Sequence, residues 1–182
     1  MNNLQQKYQK EVLPKLSGEF GVKNSQSLPY LEKIVVNSGT SDALTNREVL
    51  AKVKLDLTQI TGQIPKITFA KKSISTFKLK AGDQIGVMVT LRGQKAWDFL
   101  QKLISIVAPR IRDFRGMPAG NFDNAGNYNL GFSEHTIFPG MDLSKVEKPR
   151  GLVVSLVFKN SDRQKSKRLM ELLGLPFRNE HE

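Results

Sequence analysis

The chain has 182 residues, 28 of them Lys or Arg and 17 Asp or Glu, giving a formal net charge of +11 and a pI near 9.9. It has no cysteine, which excludes disulfides, iron–sulfur clusters, thiolate zinc sites and cysteine nucleophiles. Apolar runs such as Ile106-Val107-Ala108 are too short to cross a bilayer and Met1-Asn2-Asn3-Leu4 opens no apolar signal core, so a soluble, cytoplasmic protein is expected.

Leu4, Tyr8, Val12, Leu16 and Phe20 recur every four residues and predict an N-terminal helix ending near Gly18 and Gly21. Pro14 is expected to kink or split it unless it opens a second helix. Leu31 to Asn37 reads as a strand, rich in β-branched residues. Thr45-Asn46-Arg47-Glu48 matches a capping box, and Val49, Val53, Leu57 and Ile60 follow at helical spacing up to a stop at Gly62. Ile64 to Ala70 is a second strand. Lys71 to Asp83 is polar and basic and reads as a long connection. Ile85, Val87, Val89 and Leu91 alternate with Gly86, Met88, Thr90 and Arg92, as in a half-buried strand.

Trp97, Leu100, Ile104 and Val107 form a helical stripe that Pro109 should stop. Arg110 to Gly116 is basic and irregular, and the Asn- and Gly-rich stretch from Gly120 to Gly131 suggests a hairpin or ordered loop. Gly151 to Lys159 is a strand, and Asp162 to Leu173 a last helix closed by Gly174 and Pro176. The intermixing predicts an α+β domain, residues 1–182, built on an open, mostly antiparallel sheet with helices packed on one face. A long basic loop occupies about 71–84.

Enzyme signatures are missing. No Gly-Lys-Ser/Thr follows Gly116 and Gly120, and no Gly-x-Gly-x-x-Gly follows a strand. Glu134 and His135 are adjacent, and neighbours on a strand face opposite sides, so His135 reads as an ordinary surface or hinge residue. His181 lies in a tail and is expected to be inert. No catalytic, metal or cofactor residue is assigned. An RNA-modifying or RNA-cleaving enzyme using Glu134 or His135 is the rival reading, and a protein-interaction module built on the Asn/Gly-rich segment is a third.

The charge has an address. Residues 1–65 carry 8 basic and 6 acidic residues, 66–115 carry 11 and 3, and 116–182 carry 9 and 8. Lys66, Lys71, Lys72, Lys78 and Lys80 lie in a stretch without acids, interleaved with Ser73, Ser75 and Thr76, which can donate to phosphate and sugar oxygens. Phe77 among them can stack on a base or ribose. A solvated lysine face is the ordinary alternative. Thr90 and Arg92 share the polar face of their strand, and Asn37 ends another strand at a polar position. Arg110, Arg112 and Arg115 either form a second phosphate contact or pair with Asp113 and cap the preceding helix.

Lys72-Ser73-Ile74, Phe77-Lys78, Val89-Thr90-Leu91-Arg92-Gly93, Pro109 through Gly116, Gly126-Asn127-Tyr128-Asn129 and Ile137-Phe138-Pro139, in this order, resemble the bacterial large-subunit ribosomal protein family that binds 5S ribosomal RNA. The likeness runs over nearly the whole chain, through Pro176-Phe177-Arg178. It implies a ribosomal, non-catalytic protein whose concave sheet face grips 5S rRNA and helps attach it to the large subunit and its 23S rRNA. It implies rRNA contacts at Asn37, Gln63, Phe77 and Thr90, with Arg92 beside them. The basic loop would approach the P-site tRNA through Lys71, Lys72, Ser73, Thr76, Lys78 and Lys80. A small-subunit head protein would meet the loops between about Arg110 and Lys148 in an intersubunit bridge. Two departures stand out. Phe122-Asp123-Asn124-Ala125-Gly126-Asn127-Tyr128 lacks the Arg of many relatives, removing any contact that side chain makes. Gln84 replaces a common proline, which frees the backbone at the loop base.

Overall fold

An apolar residue every four positions drifts around an α-helix by about 40° per step, so the stripe from Leu4 to Leu16 cannot stay on one face of a regular helix. The computed structural model, which describes residues 3–44, 46, 48–111, 114–141, 146 and 148–178, resolves the conflict with a wider turn. Helix α1 (Asn3–Lys7) runs into a π-helical turn (Tyr8–Val12), closed by the Leu13 N–H on the Tyr8 carbonyl, and then into α2 (Leu13–Phe20). The extra residue per turn keeps Leu4, Tyr8, Val12 and Leu16 all buried. Pro14 therefore opens a second helix instead of breaking the first, and Gly21, at φ 63°, ends it.

The same device recurs once. Helix α4 (Gln94–Lys102) passes through a π-helical turn (Leu103–Val107) into α5 (Ala108–Arg110). The expected stop at Pro109 is therefore corrected, because the widened turn precedes the proline and the helix ends one residue beyond it, at Arg110.

The remaining elements are β1 (Tyr30–Gly39), α3 (Glu48–Thr61), β2 (Lys66–Phe69), β3 (Gln84–Arg92), β4 (Tyr128–Phe132), β5 (Leu152–Lys159) and α6 (Arg163–Leu173). The five strands form an open antiparallel sheet in the order β2-β3-β1-β5-β4, so the fold is α+β. Helix α3 starts where the Asn46 side chain accepts the Glu48 N–H at 2.9 Å. Thr45 and Arg47 of the expected capping box lie outside the described residues, as do Arg112, Asp113 and His181.

The chain divides into two compact units, one of Met1–Ile34, Arg92–Leu130 and Ser155–Glu182, the other of Val35–Leu91 and Gly131–Val154. In the first, Tyr8 donates to the Pro29 carbonyl at 2.9 Å and its ring lies 5.2 Å from that of Trp97, over a core including Leu16, Leu100 and Leu169. In the second, Leu50, Val53, Leu57 and Ile60 of α3 are buried, as are Val36, Val87, Val89, Leu91 and Leu152 of the strands. No helix among the described residues is long and apolar enough to cross a membrane.

Candidate nucleic-acid interface

The second unit has one covered and one bare sheet face. Period-two alternation buries Val36, Val87, Val89 and Leu91 on one side, so Val35, Asn37, Met88 and Thr90 point to the other. Pairing extends the bare face into β2, where Lys66 lies opposite Met88 and Thr68 opposite Gly86. Asn37 is exposed between buried Val36 and Ser38, and Ser38 is fixed by its hydroxyl donating to the Gly151 carbonyl at 2.8 Å. Arg92, exposed at the end of β3, follows Thr90 by two residues and so shares its side of the strand.

Gln63 and Thr90 are 27 residues apart in the chain and meet here. Gln63 donates from Nε2 to the Thr90 carbonyl at 3.1 Å. The turn that delivers it is specified locally. The Thr61 hydroxyl donates to the Leu57 carbonyl at 2.6 Å and accepts the Gln63 N–H, while Gly62 takes φ 66°. One Nε2 proton of Gln63 is committed to the strand, while its side-chain carbonyl oxygen keeps its capacity to accept.

The face also depends on Gly86, which the alternation pattern does not flag. A β-carbon there would sit 2.6 Å from the Ser38 carbonyl oxygen and 3.1 Å from Thr68 Oγ1. Only glycine lets β1 approach β3 this closely beside Asn37. An isolated glycine inside an alternating strand is the signal that could have found it.

The long connection is an ordered hairpin. Ile74 and Leu79 exchange backbone hydrogen bonds of 2.9 and 3.1 Å around a 3₁₀ turn at Ser75–Phe77, and Lys78 takes φ 51°. The base is closed by Ala70 N–H to Asp83 O (2.8 Å) and Gly82 N–H to Ala70 O (2.9 Å). Asp83, the acid in this segment, accepts the Lys80 backbone N–H at 2.7 Å. Among the described residues Lys71, Lys72, Lys78 and Lys80 have no ion-pair partner, and Lys71, Lys72, Lys78 and Lys80 are open to solvent. Ser73 accepts the Ala81 N–H at 2.9 Å and keeps its own O–H to donate, and Thr76 is exposed. Phe77 is 70% exposed and Ile74 44%, so the tip carries apolar surface among cations. Phe69, 55% exposed at the end of β2, and Ile64, 71% exposed, add two apolar side chains that the alternation pattern did not flag.

His135 is neither a surface nor a hinge residue, and it does not lie on a strand. It opens a 3₁₀ turn and is 2% exposed. Its Nδ1 accepts the Arg150 N–H at 3.0 Å, so the imidazole proton sits on Nε2, 3.4 Å from Asp56 Oδ2. Glu134 instead accepts from the Thr136 hydroxyl at 3.2 Å. The adjacent pair is thus split between two structural tasks, and a joint acid–base role has no geometry. No group of three or more metal-ligating side chains occurs among the described residues.

Comparison with known proteins covers the chain nearly end to end. The family model described as ribosomal protein L5 matches residues 24–80, and the model for the C-terminus of the same ribosomal family matches 84–177. The chain is similar to the large ribosomal subunit protein uL5 of Symbiobacterium thermophilum, 48% identical over 177 residues, covering 97% of this chain and 98% of that protein. It is equally similar to the proteins of the same name from Chloroflexus aurantiacus (48% over 175 residues, 96% and 97%) and Thermus aquaticus (48% over 175 residues, 96% of each).

Proposed function

Because the chain belongs to the ribosomal protein L5 family, whose members are structural and not enzymes, we propose that it binds 5S rRNA and helps attach it to the large subunit and its 23S rRNA. At the coarser level it is a structural protein of the large ribosomal subunit that associates with rRNA. The contact residues on this reading are Asn37, Gln63, Thr90 and Arg92 on and beside the bare sheet face, with Phe77 from the hairpin. The observation that carries the reading is the Gln63–Thr90 hydrogen bond, which brings two of them together on an uncovered face that also exposes Asn37.

Neutral polar groups on a fixed sheet recognise shape, 2′-hydroxyls and base edges, as RNA recognition requires. The hairpin has different chemistry. Lys71, Lys72, Lys78 and Lys80, with Ser73 and Thr76, present unpaired cations and hydroxyl donors suited to a phosphate backbone, and on our reading they contact the P-site tRNA. The loops between about Arg110 and Lys148 meet a protein of the small-subunit head. The chain acts as one module for these contacts, residues 1–182, with the basic loop at 71–84.

Binding of the full chain to 5S rRNA, measured against salt concentration and against an unrelated RNA of equal length, tests the reading. A steep salt dependence with preference for 5S rRNA is expected. Equal affinity for both RNAs would overturn it.

A further inference from the structure

The first unit carries 17 basic and 10 acidic residues, the second 11 and 7, so most of the net charge lies in the unit to which the proposed rRNA contacts assign Arg92 alone. Within that unit, the segment after α5 is joined to the C-terminal segment. Met117 donates its N–H to the Pro176 carbonyl at 2.8 Å, and Arg178 donates its N–H to the Met117 carbonyl at 2.9 Å. Gly116, at φ 103°, lies against the tail, and a β-carbon on it would be 2.6 Å from the Arg178 nitrogen and 2.9 Å from the Arg178 Cα. The Cα atoms of Arg115 and Arg178 are therefore within about 8 Å of each other, although 63 positions separate them in the chain. Both residues are exposed.

The segments that carry them are tied to an aromatic cluster. The Phe177 ring lies 5.8 Å from both Phe122 and Tyr128, whose rings are 4.4 Å apart. Met117 is buried, and the Tyr128 hydroxyl donates to the Pro118 carbonyl at 2.9 Å. Asp123, next to Phe122, has both carboxylate oxygens engaged by Asn127, at 2.7 and 2.8 Å. Arg115 has no ion-pair partner among the described residues.

We infer that Arg115 and Arg178 form a second RNA-phosphate site, which the packing of the C-terminal segment on Gly116 assembles. Two exposed arginines whose Cα atoms lie within about 8 Å can reach the same or adjacent phosphates of a backbone, and they read no sequence. The inference rests on the reading that the protein binds rRNA. It assigns work to an arginine cluster that sequence alone left divided between phosphate contact and helix capping, and it adds Arg178, which no local pattern marked.

The test compares the full chain with its Arg115→Ala/Arg178→Ala variant on two probes, 5S rRNA alone and deproteinised 23S rRNA, each titrated from low to high salt. On the RNA that uses the site, the slope of log K against log salt should shrink by roughly 1.4–1.8, the release expected for two phosphates. The probe that responds identifies the source of the phosphate. The Arg115→Lys/Arg178→Lys variant should restore the slope, because charge returns. Gly116→Ala should weaken the same RNA with both charges kept, because it separates the two segments. If the double alanine variant melts early, Arg115→Ala alone is titrated in its place, with an expected change of roughly 0.7–0.9. Unchanged slopes on both probes, with a steep wild-type slope, overturn the site and leave the rRNA reading standing. A flat wild-type slope overturns both. Loss of binding to a small-subunit protein with RNA binding intact also overturns the site, since it makes the arginines a protein contact.

Discussion

Gly86→Ala tests how the sheet positions its bare face. The added β-carbon would sit 2.6 Å from the Ser38 carbonyl oxygen, a backbone atom, with Thr68 Oγ1 at 3.1 Å and the Gly39 Cα at 3.3 Å. Ordinary contact needs roughly 0.8 Å more. Thr68 can rotate away, but the Ser38 carbonyl cannot move alone, because the Ser38 hydroxyl is tied to Gly151 and the neighbouring Thr40 N–H to the Ile85 carbonyl at 2.8 Å. The strand must shift as a piece, and Asn37 goes with it. Overpacking of this kind costs about 1–3 kcal/mol. For a chain of this length a cost of about 2 kcal/mol lowers the melting midpoint by roughly 4–8 °C. Thermal unfolding followed by circular dichroism measures the first effect, and 5S rRNA binding at fixed salt measures the second, a loss that should exceed that of Asn37→Ala. A variant with unchanged melting and unchanged binding would refute the argument that close approach of β1 and β3 sets the face.

The other predictions use different parts of the molecule. Asn37→Ala and Thr90→Ala should each weaken 5S rRNA binding about 2- to 12-fold, the worth of one neutral hydrogen bond, with no change in salt slope. Lys71→Ala/Lys72→Ala should leave most of the 5S affinity and reduce binding of tRNA. If the lysine pair matters more to 5S rRNA than Asn37 does, the division between face and hairpin is wrong. Gly126→Ala should destabilise the protein by about 1–3 kcal/mol in chemical denaturation, since φ is 79° and a β-carbon would meet the Asp162 carbonyl oxygen at 2.7 Å. Asp162 caps α6 by accepting the Lys165 N–H at 2.9 Å, and this backbone hydrogen bond, joined by the Lys165 ammonium, holds its pKa below the ordinary value. A depressed pKa gives stability that is present above the unfolded value, about 3.9, and lost as pH falls through the folded one. Asp162→Ala should therefore cost about 1 kcal/mol near neutral pH, with the gap to wild type narrowing only below about pH 4.

Much of the fold was legible because the strands obey a strict period. The strand expected over 31–37 is Tyr30–Gly39, that over 151–159 is Leu152–Lys159, and the last helix, expected over 162–173, is Arg163–Leu173. The helices with prolines were less legible, since a π-helical turn has no composition of its own. It shows only as an apolar spacing of four that a regular helix cannot keep on one face. The 71–83 connection hid its hairpin because its apolar residues, Ile74 and Phe77, point to solvent and so break the pattern that marks strands. His135 was misread for another reason. Its burial depends on Arg150 and Asp56, which lie 15 and 79 positions away, and nothing local distinguishes it from an exposed histidine. Gln63 carried no periodic signal either, and its bond to Thr90 follows from the turn that Thr61 and Gly62 set.

Charge and specificity separate on this chain by chemistry. On the bare face of the second unit Asn37, Thr68, Gln63 and Thr90 are uncharged, and two of them are already bonded to each other, so presenting them to RNA requires little ordering. The hairpin cations of the same unit are long, exposed and unpaired, and their attraction fades as salt rises. The contribution of a neutral hydrogen bond has no counterion to release. On the proposed reading, total affinity for 5S rRNA should fall steeply between low and physiological salt while the preference for it over an unrelated RNA holds or grows. A protein whose preference came from the lysines would lose affinity and preference together. The ratio of the two affinities, followed across a salt series, thus separates recognition by shape from recognition by charge without any mutation.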